Sequence, residues 1–193
     1  MLNSDYRKLC TVSLPYAGRQ KYMHTFDLAS PVMAAGFEDY LLPVKQLCEA
    51  AGATCGMAHM TVDEKVVAAG MSQRRPRPHV DGCFMPSPGS WGGAWDHQPT
   101  WAHGCNNVPL EDFKRMPVIV ASSAVGCRAW RGLFDGKPAS DGDLSHLELG
   151  DGEVLPANVG HLLSADCVHE SMIQTAAVRR TFLRIALPVD FRF

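Results

Sequence analysis

The sequence lacks several things that would place it quickly. No two cysteines are spaced Cys-x-x-Cys, and the seven present, at positions 10, 48, 55, 83, 105, 127 and 167, make an odd number. Neither a disulfide framework nor a zinc knuckle is expected from that pattern, and the cysteines read as small core residues of a protein kept in a reducing, cytoplasmic compartment. No apolar run approaches the roughly 18 residues of a membrane-spanning helix, and the opening MLNSDYRKLC has no apolar stretch of the kind a secretory leader carries, so neither a membrane partner nor a leader is expected. Charge of either sign is scarce in excess: the formal net charge is −2. That argues against a broad nucleic-acid footprint and leaves only a local basic patch open for one. There is no internal repeat and no low-complexity tract.

What is present is an ordinary globular composition, 46% hydrophobic and 20% charged over 193 residues, enough for one domain with a real core. From Gly36 to Gly52 the residues Phe37, Tyr40, Leu41, Val44, Leu47, Cys48 and Ala51 recur at three- and four-residue steps. This predicts a helix with one apolar face, stopped at Gly52 and either kinked or restarted at Pro43. Beyond it, runs rich in Val, Leu, Ile, Phe and Cys at 57–69, 78–84, 117–122, 126–131, 153–155, 160–168 and 178–188 predict strands. The expected fold is α+β and mainly β, a sandwich or jelly roll. It is a single domain over 1–193, with a strand and a helix in 1–56 supporting a β core over 57–188. Residues 85–116 break the pattern. They hold Trp91, Trp95 and Trp101 with His97 and His103, and read either as a functional loop or lid or as a surface loop pinned by buried indoles.

The chemistry is concentrated in RRPRPHVDGCF, residues 74–84. His79 and Asp81 are two apart, which on a strand puts both side chains on one face with Val80 opposite. An imidazole beside a carboxylate is two-thirds of a 2-His-1-carboxylate facial triad, and His169, in SADCVHESM, is the best candidate for the third ligand. About one His-x-acid pair is expected by chance at ordinary composition. A second does occur, His146-x-Glu148, but it lies too close before His169 to hold the intervening strands. A zinc deaminase reading of that pair fails because no Pro-Cys-x-x-Cys follows it. His24, His59, His97, His103 and His161 read as surface or hydrogen-bonded core residues, with His97 and His103 retained as possible substrate contacts. Arg74, Arg75 and Arg77 form the densest basic stretch, read as a solvated strand end or as an anion-binding group.

After His169 the chain runs into TAAVRRTFLRIALPV, residues 175–189, a central strand carrying Arg179, Arg180 and Arg184. A guanidinium on such a strand needs a charged partner, either a protein carboxylate or a bound one held by the bidentate fork. Arg180, Phe182 and Arg184 share one face. Arg179, Thr181, Leu183, Ile185 and Leu187 share the other, which is apolar enough to pack on the early helix. Arg180, with Arg184 beside it, is therefore expected to face the cavity, with Arg179 as the fallback.

His79-x-Asp81, the distant His169 and the arginines that follow it resemble the Fe(II)/2-oxoglutarate-dependent dioxygenase superfamily over roughly residues 57–188, and the ending RTFLRIALP after CVHES looks most like its short bacterial and phage-encoded members. The resemblance implies a double-stranded β-helix, a jelly roll with the N-terminal helix packed on one sheet. It implies Fe(II) on His79, Asp81 and His169, and 2-oxoglutarate as cosubstrate, its distal carboxylate on Arg180. It further implies hydroxylation of a small-molecule or side-chain substrate with release of succinate and CO2, and the loop at 85–116 as the lid. A non-catalytic jelly-roll structural or binding protein is the alternative. Cupins usually carry His-x-His, which is absent, and a zinc hydrolase using the same triad would act without oxygen.

Overall fold

The computed structural model describes residues 1–81, 116–139 and 142–193. Within them the strands are β1 Leu2–Ser4, β2 Tyr6–Thr11, β3 Gln20–Asp27, β4 Met57–Val67, β5 Val118–Ser122, β6 Cys127–Trp130, β7 Gly132–Phe134, β8 Glu153–Leu155, β9 Val159–Leu163, β10 Val168–Ser171 and β11 Val178–Ala186, with one α-helix, α1 Leu41–Ala51. The protein is mainly β, and every strand pairing is antiparallel. Six strands form one sheet in the order β2-β9-β5-β11-β4-β3, three form a second in the order β10-β6-β8, and β1 pairs with β7.

The two faces of β11 decide how the layers stack. Leu183, Ile185 and Leu187 join Met60 and Val62 of β4, Ile119 and Ala121 of β5 and Leu162 of β9 in a core with Tyr40, Val44, Leu47, Cys48 and Ala51 of the helical segment. This is the packing expected of the early helix. Gly160 makes the close approach possible, because a side chain there would collide with Leu47 of α1. The opposite face of the same sheet meets the smaller sheet: Val118, Val120, Leu163, Phe182 and Ala186 cluster with Ala129 of β6 and Leu155 of β8. Alternate residues of one strand thus serve two different layers, as the pleat dictates.

The helix ends where the sequence indicates. Gly52 takes φ 80° and its N–H reaches back to the last turn, the left-handed cap that glycine tolerates best. Pro43 falls in the first turn of α1, preceded by a short 3-10 turn at Glu38–Tyr40. There its missing N–H costs no hydrogen bond, so it marks a start and introduces no kink. Three expectations need correction. The strand expected over 160–168 is two strands, because the chain turns at Ser164–Cys167, where the Cys167 N–H bonds the Ser164 carbonyl at 3.0 Å. Of the strand expected over 78–84, the described residues 78–81 form isolated bridges alone, from His79 to His169 and to Asp143, with Asp81 in a turn. Residues 1–56 contribute three strands before the helix. The expected lid at 85–116, with Trp91, Trp95, Trp101, His97 and His103, lies outside the described residues except for Met116, which is buried.

Among the described residues five cysteines are free: Cys48 and Cys167 are buried, Cys10 and Cys127 half-buried, and Cys55 exposed. Cys55 departs from the reading of these residues as core. No helix among the described residues is long and apolar enough to cross a membrane.

Candidate metal centre

His79 sits in a short extended segment wedged between two others. Its N–H donates to the His169 carbonyl at 3.0 Å and its carbonyl accepts from the His169 N–H at 2.9 Å, while on the other side the Leu144 N–H donates to the Pro78 carbonyl at 2.9 Å. The segment therefore extends the smaller sheet beyond β10 and sets His79 and His169 directly opposite each other. Directly paired residues of antiparallel segments project to the same side, and the two imidazoles lie with ring centroids 4.5 Å apart. Val80 turns the other way, buried with Leu2, Trp130, Leu144 and Val168. That small apolar cluster pins the backbone between the two ligands of the His-x-Asp pair.

Both rings are oriented by their own backbone. Nδ1 of His79 lies 2.7 Å from the Arg77 carbonyl, and Nδ1 of His169 lies 3.0 Å from the Cys167 carbonyl. A carbonyl can only accept, so each Nδ1 carries a proton and Nε2 is the nitrogen left to face a metal. Asp81 completes the group. Its Oδ1 is 3.8 Å from His169 Nε2, and its Oδ2 accepts from Arg184 Nε at 2.9 Å. One ligand atom from each of His79, Asp81 and His169 falls within 4.8 Å of the others, the one such group among the described residues. A first-row ion binding each donor at about 2.1 Å on one face would hold them roughly 3 Å apart, so the side chains would close in around it. The donor set fits a divalent metal: two neutral imidazole nitrogens and one carboxylate on one side of the ion, the other positions left open.

The electrostatics keep His79 and Asp81 in their metal-binding forms. Burial, helped by the neighbouring His169 and Arg75, pushes the His79 imidazole down to about 3, so it stays neutral. Burial alone would raise the Asp81 carboxyl. The Arg184 guanidinium, by its charge and its hydrogen bond, outweighs it and holds the group well below the usual carboxylate range. Of the three ligands His79 is the most enclosed, while His169 and Asp81 keep side-chain exposures of 17% and 22%, an open side for exchange.

The three arginines of β11 part company. Arg184 is the ion partner of Asp81. Arg179 is on the far face, exposed, its guanidinium 5.9 Å from the centre of the Tyr16 ring. Arg180 is fully buried. Its Nε donates to Ser122 Oγ at 2.7 Å, Nη1 to Ser171 Oγ at 3.4 Å and Nη2 to Cys127 Sγ at 3.2 Å. Two hydroxyls and a thiol are neutral, and no carboxylate among the described residues pairs with it. Two members of the basic stretch ahead of His79 are folded onto the protein, Arg74 lying 3.8 Å from Asp63 and over the Phe182 ring and Arg75 lying 3.7 Å from Asp143, while Arg77 is exposed. His146 and Glu148 are exposed.

Ser122, Ser171 and Cys127 were not singled out by the sequence. Ser171 carries a usable signal, since it stands two residues after His169 and so shares its face of β10. Ser122 and Cys127 meet Arg180 only through strand register. No family model matches the chain, and neither a curated protein nor a solved structure shows significant similarity to it.

Proposed function

We propose that the protein is an Fe(II)- and 2-oxoglutarate-dependent oxygenase on a double-stranded β-helix, and that it hydroxylates a small-molecule or side-chain substrate. The observation that carries this reading is the pairing of a one-sided His-Asp-His group with a buried arginine that has no counter-charge among the described residues. A buried guanidinium without a carboxylate is costly unless a ligand supplies one. His169 and Ser171 are successive same-face residues of β10, about 7 Å apart by strand geometry, and Ser171 bonds Arg180. An extended five-carbon dicarboxylate spans about that distance, so one ligand can reach both the metal and Arg180.

In this reading His79 and His169 offer Nε2 and Asp81 offers Oδ1, while Arg184 occupies Oδ2 and keeps the carboxylate from closing on the ion with both oxygens. The distal carboxylate of 2-oxoglutarate pairs with Arg180, displacing the Cys127 thiol, a weak acceptor, in favour of a charge-assisted fork. Bound iron, with 2-oxoglutarate and O2, supplies an oxidative decarboxylation to succinate and CO2 coupled to insertion of one oxygen atom into a substrate C–H bond. Antiparallel sheets sharing a core support the jelly-roll assignment, with the metal group at one end of the space between them.

The test is an anaerobic titration of Fe(II) and 2-oxoglutarate, following the weak visible band that a keto acid gives when it chelates ferrous iron. Wild type should develop the band, His169→Ala should lose it, and Arg180→Ala should need at least tenfold more 2-oxoglutarate. A wild type that binds neither iron nor 2-oxoglutarate would return the chain to a non-catalytic structural or binding module.

A further inference from the structure

The Arg180 guanidinium lies against the backbone of a glycine, Gly126. Gly126 immediately precedes β6, and its carbonyl accepts the Met172 N–H at 2.9 Å, so its backbone is fixed against the strand that carries His169 and Ser171. Its φ is not in the left-handed region, so the backbone there suits any residue. What it lacks is room. A Cβ at Gly126 would lie 2.5 Å from Arg180 Nη1 and 2.8 Å from Nη2, and closer still to the central carbon of the guanidinium. All three nearest atoms belong to that one group.

We propose that Gly126 is a positioning residue: the bare backbone at this point is the surface against which the Arg180 head lies, and it holds the fork where Ser122, Ser171 and Cys127 meet it. The ligand assigned to Arg180 rests on the oxygenase reading; the packing relation between Gly126 and Arg180 does not. Arg180 has little freedom to step aside, because it is fully buried and bonded through Nε, Nη1 and Nη2. A single methyl at Gly126 must therefore move the guanidinium out of its three hydrogen bonds, while leaving His79, Asp81 and His169 untouched.

The experiment compares wild type, Gly126→Ala, Arg180→Met and the double variant, the methionine keeping an apolar stem and removing the head. Thermal unfolding of the metal-free proteins gives the first readout. Gly126→Ala should lower Tm by several degrees in the wild-type background and by less than half as much in Arg180→Met, a coupling expected only if the two groups collide. If Gly126→Ala does not fold and the double variant does, that rescue gives the same answer. Equal losses in both backgrounds, or failure of both to fold, would overturn the proposal. The second readout is 2-oxoglutarate binding to the Co(II)-loaded proteins. Gly126→Ala should weaken it at least tenfold with Co(II) affinity within twofold of wild type, and unchanged 2-oxoglutarate affinity would again overturn it. A wild type that binds no 2-oxoglutarate defeats the oxygenase reading alone, and the unfolding comparison still decides the role of Gly126.

Discussion

Arg77 holds φ at 142°, a conformation nearly reserved for glycine. It also precedes Pro78, whose ring pushes the preceding residue toward extended, negative φ. The result of this strain is local and useful, because the Arg77 carbonyl is the acceptor that fixes His79 Nδ1. Such strain is worth about 1–3 kcal/mol, and a glycine returns about 0.5–1 kcal/mol of it as unfolded-state entropy. Arg77→Gly should therefore raise stability by about 1 kcal/mol, seen as a higher urea midpoint at unchanged slope, with Co(II) affinity unaltered because the carbonyl stays. Arg184→Met acts in the other direction. It leaves the Asp81 carboxylate without the Nε donor now 2.9 Å from Oδ2, and metal affinity should fall roughly 10- to 100-fold, measured by Co(II) titration. At this scale the ligands were readable because two same-face residues on one segment need only a spacing of two. The division of labour between Arg180 and Arg184 was not, because it depends on which segment lies opposite each residue, and β11 by itself does not say that Asp81 comes to rest over Arg184 and Ser171 beside Arg180.

Among the elements, β4 carries the most varied load. On its helix-facing side Glu64 accepts from the Ala17 and Arg19 N–H groups at 2.5 and 2.9 Å, from Arg19 Nη2 at 3.0 Å and from the Tyr40 hydroxyl at 2.6 Å. One buried carboxylate thus fastens the turn before β3 and the segment leading into α1 to the sheet. Burial would raise its pKa, but the hydrogen bonds prevail and bring it down to about 2, from 4.5. A group depressed in the folded state contributes stability above its unfolded value and loses it as pH falls toward the folded one. Wild type should thus lose on the order of 3 kcal/mol between about pH 4.5 and 2 through this group. Glu64→Gln should be less stable at neutral pH and show a flatter acid limb in a pH series of urea melts. Strands with apolar runs, such as β5 and β11, were legible. β2 (YRKLCT) and β3 (QKYMHTFD) were not, because both are edge strands with polar residues on much of their length, and pairing with β9 and β4 supplies what periodicity does not.

For the whole molecule, any ion held by the folded chain alone must stabilise it. At a hundredfold excess over Kd the gain is about 2.7 kcal/mol. With about 2–4 °C per kcal/mol for a chain of this size, Co(II) or anaerobic Fe(II) should raise Tm by about 5–10 °C. His169→Ala should abolish that rise, while an unshifted wild-type melt would show that the three side chains hold no ion.

The mutual hydrogen bonds of His79 and His169 also bear on the order of folding. They close a loop that contains β5 to β9, and closing a long loop is paid for in entropy before any local contact rewards it. We expect His169 to meet His79 after β10 has found β6, and Val80 to settle once Trp130 and Val168 surround it. The ligands therefore come together late, in a chain already collapsed, unlike small zinc modules whose metal organises the fold. Refolding in a chelator should run at the same speed as refolding with metal, and the ion should act on the rate at which the finished protein comes apart.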